Sequence, residues 1–260
     1  MSRGKYQSFA KKSLGQNFLV DHNYIRKIID AAEPQSSNTI IEIGPGRGAI
    51  TECLVDSGAT VIAIELDREF VPQLAERFKN KPNFRVIEAD ATQIDYAQLI
   101  NRQQAKVVAN LPYYISTAIL QHLAAQRQYF VSLVLMFQKE VVERISAPPG
   151  DSERGFLTAL TELAFTVERL FDVPPNAFRP VPKVTSTVAR LTPKPKSDID
   201  EQEFRGLVST AFSQKRKTIL NNLKSRYPDA REKLKRSGID VSRRAESLVL
   251  DEWFALLRSL

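Results

Sequence analysis

The sequence predicts an α/β fold: a parallel, doubly wound sheet with helices on both faces, joined to a small all-helical C-terminal domain. Three observations carry this. From Thr39 onward, short β-branched apolar runs alternate with segments of helical spacing. The runs are nearly continuous in apolar character rather than polar at every second residue, which marks strands covered on both faces. Beyond a proline-rich stretch near residue 195, only helical spacing remains.

Thr39-Ile-Ile-Glu-Ile43 is the first strand and stops at a glycine cluster; residues 49–55 then read as a helix. Thr60-Val-Ile-Ala-Ile-Glu65 is the second strand, with a helix over 68–78. Residues 84–88 and 106–109 give two more strands, 116–125 a helix, and 130–137 a long apolar strand. Later strands are predicted at 165–170 and 186–191. Residues 173–195 hold six of the fourteen prolines, and Pro193-Lys-Pro-Lys-Ser-Asp198 has the composition of a linker. Past it Phe204, Leu207, Val208, Ala211 and Phe212 recur at helical spacing. The domain boundary is placed near 193–199, with a larger domain over 1–195 and a smaller one over 196–260.

Composition excludes several chemistries. The 260 residues include one cysteine, Cys53, and two histidines, His22 and His122. A disulfide within the chain is impossible, and a Cys/His zinc site nearly so, which removes zinc deaminases, zinc hydrolases and clustered-histidine triads. Cys53 reads as a small residue on a helix. No apolar run is long enough to span a bilayer. The basic N-terminus lacks an apolar h-region, so no secretory signal is expected, and a motif starting near Gly15 leaves little room for a transit peptide. The net charge of +7 is unevenly spread: +4 over residues 1–30, −3 over 31–189 and +6 over 190–260. An acidic centre between basic ends suits a polyanion held by the ends and a small cofactor in the middle, though solvated helix faces give the same count.

Four strand-end motifs carry chemistry. Glu42-Ile-Gly-Pro-Gly-Arg-Gly48 places glycines at alternate positions, so that backbone can approach a ligand closely. Glu65 ends the second strand, where a carboxylate can accept both hydroxyls of a ribose. Glu88-Ala-Asp90 ends the third, where an acid can hold an adenine amine. These three suit any adenosine cofactor, a nicotinamide included. Asn110-Leu-Pro-Tyr113, after the fourth strand, separates the readings. An adenine amine is a poor nucleophile because its lone pair is delocalised into the ring. It needs acceptors that favour a tetrahedral nitrogen, and a fixed orientation. The Asn110 side-chain oxygen and the Leu111 carbonyl can supply two acceptors. Pro112 fixes the turn without a competing N–H, and Tyr113 offers a ring for the base to stack on. No general base is required, because the proton becomes acidic as nitrogen bonds the methyl group.

With these residues in place, the chain resembles the small-subunit ribosomal RNA adenine dimethyltransferases. The resemblance runs through Leu14-Gly-Gln-Asn-Phe-Leu19, the motifs above, Asn176-Ala-Phe-Arg-Pro-Val-Pro-Lys-Val-Thr-Ser186 and Ala211-Phe-Ser-Gln-Lys-Arg-Lys-Thr-Ile219. It implies a seven-stranded class I methyltransferase domain using S-adenosylmethionine and no metal, followed by a small helical RNA-binding domain. The implied substrate is a pair of adjacent adenines near the 3′ end of small-subunit rRNA, each dimethylated at N6. The implied partner is that rRNA or an immature small subunit, met by a cytoplasmic monomer without membrane contact. Residues 1–20 would touch RNA and close over the cofactor, through Asn17 and Leu19. Gly44, Glu65 and Asp90 would contact its methionine, ribose and adenine, with Gln16 and Gly46 beside them. Asn110 would bind at the transfer site together with Leu111, Pro112 and Tyr113, and Phe178 would stack on the face of the base opposite Tyr113. Loss of Glu65 would then cost cofactor affinity and little fold stability.

Resistance-type methylases of large-subunit rRNA share the N-terminal and Asn-Leu-Pro-Tyr-like motifs. A Gln214-Lys-Arg-Lys217 helix and the proline-rich loop favour the small-subunit enzyme. A non-enzymatic assembly factor is opposed by intact Asn110 and Glu65. A nicotinamide oxidoreductase is opposed by the lack of a Tyr-x-x-x-Lys pair or paired histidines.

Overall fold

The structure, a computed structural model, describes residues 16–260. Leu14, Gly15 and most of the basic N-terminal segment lie outside the described residues.

The strands are β1 (Phe18–Leu19), β2 (Thr39–Ile43), β3 (Thr60–Glu65), β4 (Phe84–Glu88), β5 (Ala105–Asn110), β6 (Phe130–Gln138), β7 (Phe165–Val173), β8 (Phe178–Arg179) and β9 (Ser186–Pro193). Seven of them form one sheet in the order β4-β3-β2-β5-β6-β9-β7. From β4 to β6 all pairings are parallel, with Ile41 of β2 opposite both Ile62 and Val107. Ile40, Ile41, Val61, Val107 and Val108 are fully buried, as strands covered on both faces require. The sheet is parallel as expected from β4 to β6, but β9 runs antiparallel to β6, with Met136 opposite Val188. The connection over 174–185 contains a 3₁₀ turn (Pro175–Ala177) and no α-helix. This link leads from β7 into β9 without the crossover helix that usually joins parallel neighbours.

Helices α1 (His22–Ala32), α2 (Ala49–Asp56), α3 (Phe70–Arg77), α4 (Tyr96–Leu99) and α5 (Ser116–Ala125) accompany the strands. α1, absent from the sequence reading, starts at Asp21, whose side chain accepts from the Asn23 N–H at 2.8 Å. Its Ile25, Ile28 and Ala32 form one buried stripe. β1 and β8 make a separate two-stranded pair, antiparallel, with Leu19 opposite Phe178. The pairing continues as the Val20 N–H donates to the Ala177 carbonyl at 2.9 Å. This ties residues 18–20 as a strap to the proline-rich segment.

The chain divides into two compact units. One runs to Lys139 and resumes over Glu168–Pro193; the other takes Glu140–Val167 and Lys194–Leu260. The linker composition predicts a single cut after 195, whereas the second unit also takes α7 (Phe156–Ala164), following α6 (Lys139–Ile145). Ala159 and Leu163 of α7 share a core with Phe204, Leu207, Trp253 and Leu256. The remaining helices are α8 (Glu201–Ala211), α9 (Ile219–Leu223), α10 (Ala230–Arg236) and α11 (Leu250–Arg258). Asp200 caps α8, accepting from the N–H groups of Gln202 and Glu203 at 2.7 and 3.0 Å. Lys215, Arg216 and Lys217 are exposed and lie in the turn between α8 and α9, not on the helix expected for them. A turn leaves all three cations in solvent, where helical phase would bury one. Among the described residues, no helix is long and apolar enough to cross a membrane, and no cluster of potential metal ligands occurs.

Candidate active site

The carboxyl ends of β2, β3, β4 and β5 converge on one cavity of about 400 Å³ within the first unit. Open α/β sheets bind their ligands at this edge. Gly44 and Gly46 lead the chain out of β2 with φ of 69° and 53°, a region that side chains rarely adopt. A Cβ at Gly46 would also stand 3.0 Å from the Phe18 ring. The glycine loop is therefore narrow because the strap lies directly against it. Phe18 packs edge-on to Phe70 at 5.5 Å, and the Arg47 guanidinium sits 4.6 Å from the Phe18 ring centre.

Glu65, at the tip of β3, is buried and accepts from two backbone N–H groups: Gly46 at 3.0 Å and Asp67 at 2.8 Å. Burial pushes its carboxyl above the usual range, and those two bonds oppose the rise. Asp67 accepts from the Gln16 side chain at 2.8 Å, so the strap is held here as well. Past β4, Asp90 accepts from the Thr92 N–H and hydroxyl, both at 2.8 Å, which fixes its carboxylate at the cavity wall.

At the end of β5 the Asn110 side-chain N–H donates to the Asn17 carbonyl at 3.1 Å. That bond assigns the nitrogen and leaves Oδ1 as the acceptor end. Leu111 is buried, its N–H donating to the Met136 carbonyl of β6 at 3.3 Å. The Pro112 carbonyl accepts from the Ile115 N–H and the Tyr113 carbonyl from the Ser116 hydroxyl, which closes the turn into α5. The half-buried Tyr113 shares a 2.6 Å hydrogen bond between its hydroxyl and that of Ser186.

Gln16, Asn17, Leu19, Gly44, Gly46, Glu65, Asp90, Asn110, Leu111, Pro112 and Tyr113 all line this cavity. Phe178 does not: its ring is fully buried in the core that also takes Leu19, its register partner on β1. Glu42, Leu66 and Tyr114 are among the further lining residues to which no sequence motif gives a role in the site. Glu42 carries a readable signal, a carboxylate inside an otherwise apolar buried strand.

Glu42 is fully buried, and its Oε2 meets no hydrogen-bond partner among the described residues. Burial raises its pKa to about 8, opposed in part by Thr51 beside it and reinforced by the charge of Glu65. Near neutral pH it is mostly protonated. Between pH 4.5, its ordinary value, and about 8 the folded protein holds a proton that the unfolded chain releases. Stability from this group is present below that window and is lost as pH rises through it, by up to roughly 1.4 kcal/mol per pH unit. Glu42→Gln keeps the neutral shape and should flatten the wild-type decline in melting temperature from pH 5 to 8.5. Parallel melting curves for the two proteins would place the charge elsewhere.

A sheet of this strand order with its last strand reversed, and a glycine loop and acidic tips around one cavity, define the class I methyltransferases. The chain belongs to the ribosomal RNA adenine dimethylase family, whose sequence model matches residues 7–260. It is accordingly an S-adenosylmethionine-dependent methyltransferase. It is 42% identical over 255 residues to ribosomal RNA small subunit methyltransferase A of Saccharophagus degradans, covering 96% of this chain and 94% of that protein. The enzyme of the same name from Geobacter metallireducens is 42% identical over 262 residues, covering 96% and 95%. Among solved structures, a dimethyladenosine transferase from Plasmodium falciparum superposes with a TM-score of 0.81 at 29% identity, covering 93% of this chain and 96% of that one. The 23S rRNA methyltransferase ErmE, at TM-score 0.72 and 24% identity over 94% and 99%, shares the fold.

Proposed function

We propose that this protein transfers methyl groups from S-adenosylmethionine to the N6 amines of two adjacent adenines near the 3′ end of small-subunit rRNA. The observation that carries the chemistry is the orientation of Asn110. Its N–H is committed to Asn17, so its oxygen is the end offered to a donor amine. The small-subunit target rests on the names of the relatives at 42% identity.

The cavity fits the cofactor. Its volume suits a molecule of that size, its glycine loop admits only backbone beside the strap, and the unpartnered Glu42 oxygen awaits a donor. Gly44, Gly46 and Glu42 would hold the methionine part, Glu65 the ribose hydroxyls and Asp90 the adenine amine, with Gln16, Asn17 and Leu19 above them. When bound, the cofactor supplies an electrophilic methyl group on a sulfonium. The chain supplies geometry and acceptors. Asn110 Oδ1 and the Leu111 carbonyl accept from the target amine and favour its tetrahedral form. Tyr113 offers a ring face to the base, which must leave its stack to reach the cavity.

The second unit would grip RNA phosphates as a monomeric, cytoplasmic protein meets the small-subunit rRNA or its immature particle. Lys215, Arg216 and Lys217 are exposed together, and the 194–260 part of this unit carries +5, against −3 for its 140–167 part. Affinity for RNA should therefore fall steeply with salt. Reversing the three to glutamate should weaken RNA binding and flatten the salt slope while leaving cofactor affinity intact. Filter binding from low to high salt reads this directly, and an RNA affinity independent of salt would reduce the basic turn to solvated surface. Mass spectrometry of rRNA nucleosides after reaction should find N6,N6-dimethyladenosine; a single methyl at any other atom would contradict the proposal.

A further inference from the structure

We propose that Ser186 is a positioning residue for methyl transfer, acting through the hydroxyl of Tyr113. The inference rests on the reading that the Tyr113 ring stacks on the target base.

Ser186 opens β9, the antiparallel strand, 73 residues from Tyr113 in sequence. Its side chain is wholly buried, and the hydrogen bond that the structure gives it is the 2.6 Å contact with the tyrosine hydroxyl. Its backbone is clamped on both sides. The Thr185 carbonyl accepts from the Lys139 N–H at 3.0 Å. The Thr187 hydroxyl donates to Asp172 at 2.7 Å, and Asp172 is held in turn by both nitrogen–oxygen contacts of Arg169, at 2.8 Å. Successive side chains of a strand point to opposite faces. Thr187 therefore fastens β9 on one side while Ser186 presents its hydroxyl on the other, to Tyr113. Ser186 also pairs with Gln138 across β6, so the anchor sits on the sheet rather than on a loop.

The tyrosine needs such an anchor. Its main chain is fixed by the turn into α5, but rotation about the side-chain bonds would still swing the ring across the cavity. Burial already pushes its phenol above the usual range, which marks a hydroxyl with little access to water. Bound to Ser186, the hydroxyl fixes the far end of the ring, and two fixed ends define the plane on which a base can lie.

The arrangement predicts an asymmetry. Ser186→Ala leaves a buried phenol hydroxyl without a partner, so the ring must turn to find one. Tyr113→Phe removes that hydroxyl and leaves the ring held by packing. Each single variant orphans one buried hydroxyl, but only in Ser186→Ala does the orphan sit on the ring, so only there does its search for a partner turn the stacking plane. Single-turnover methyl transfer at saturating RNA and cofactor should fall about tenfold in Ser186→Ala and about threefold in Tyr113→Phe. The double variant should recover to the level of Tyr113→Phe. Calorimetric cofactor affinity should stay near wild type throughout, and the melting temperature lost in either single variant should be partly regained in the double. Ser186→Cys keeps the volume with a weak donor, and it should show the same slowing if the alanine variant folds poorly.

A Ser186→Ala rate equal to wild type would overturn the proposal. So would a loss that persists undiminished with Tyr113→Phe, which is the mark of a purely structural serine. Tyr113→Ala separates this from the reading beneath it. If that variant transfers normally, the stacking role falls and the positioning role with it; if it is crippled while the rescue fails, only the role of Ser186 falls.

Discussion

Asn110→Ala should slow methyl transfer by about 10²-fold or more, the usual cost of removing a preorganised electrostatic group. The side chain does two jobs from one position. Its N–H holds the Asn17 carbonyl of the strap at 3.1 Å, which leaves its oxygen as the acceptor at the cavity wall. The acceptor matters most as the adenine nitrogen becomes tetrahedral and positive, so the loss falls on the rate of transfer. RNA affinity, spread over many phosphate contacts, should change little. Asn110→Asp makes a useful companion, since it keeps an acceptor but loses the donor to Asn17; it should weaken cofactor affinity through the strap. Tyr113→Ala should behave differently, losing a stacking surface of about 1–3 kcal/mol and hence capture of the base as well as turnover. Single-turnover kinetics with saturating cofactor and RNA measure both. Near wild-type rates for Asn110→Ala would make the motif a structural turn.

Glu65→Ala should weaken S-adenosylmethionine binding by about 2–3 kcal/mol, the worth of hydrogen bonds to a charged group. The carboxylate already accepts from Gly46 and Asp67, and a carboxylate has about four acceptor sites, so two remain for a ribose. This geometry revises what the sequence implies for stability. Removing Glu65 also strips two backbone N–H groups of their acceptor at a buried site, so the cofactor-free protein should melt lower, with the glycine loop loosened. Calorimetric titration reads the affinity and a thermal melt the second effect. Unaltered affinity in a variant that still melts cooperatively would take Glu65 out of the site.

The sheet was legible because strands covered on both faces are apolar almost throughout; the runs at 39–43, 60–65 and 130–138 announce themselves. The site was legible where a motif sits at a strand tip, since topology brings tips together. What escaped did so for physical reasons. The direction of β9 depends on its connection, and its own residues are the same for either direction. The α7 stripe shows that it is buried but not in which core. β1 and β8, at two residues each, are too short to show periodicity. Phe178 reads as an exposed loop aromatic until its pairing with Leu19 covers it. Ser186 is an ordinary strand residue until the fold brings it to Tyr113.

The most direct test of the central claim is labelled methyl incorporation, run with this protein on unmethylated 30S particles, naked small-subunit rRNA and 50S particles. Incorporation should appear in small-subunit substrate alone and approach four methyl groups per RNA, two on each of two adjacent adenines. Incorporation confined to 50S particles, or none on any of the three, would contradict it.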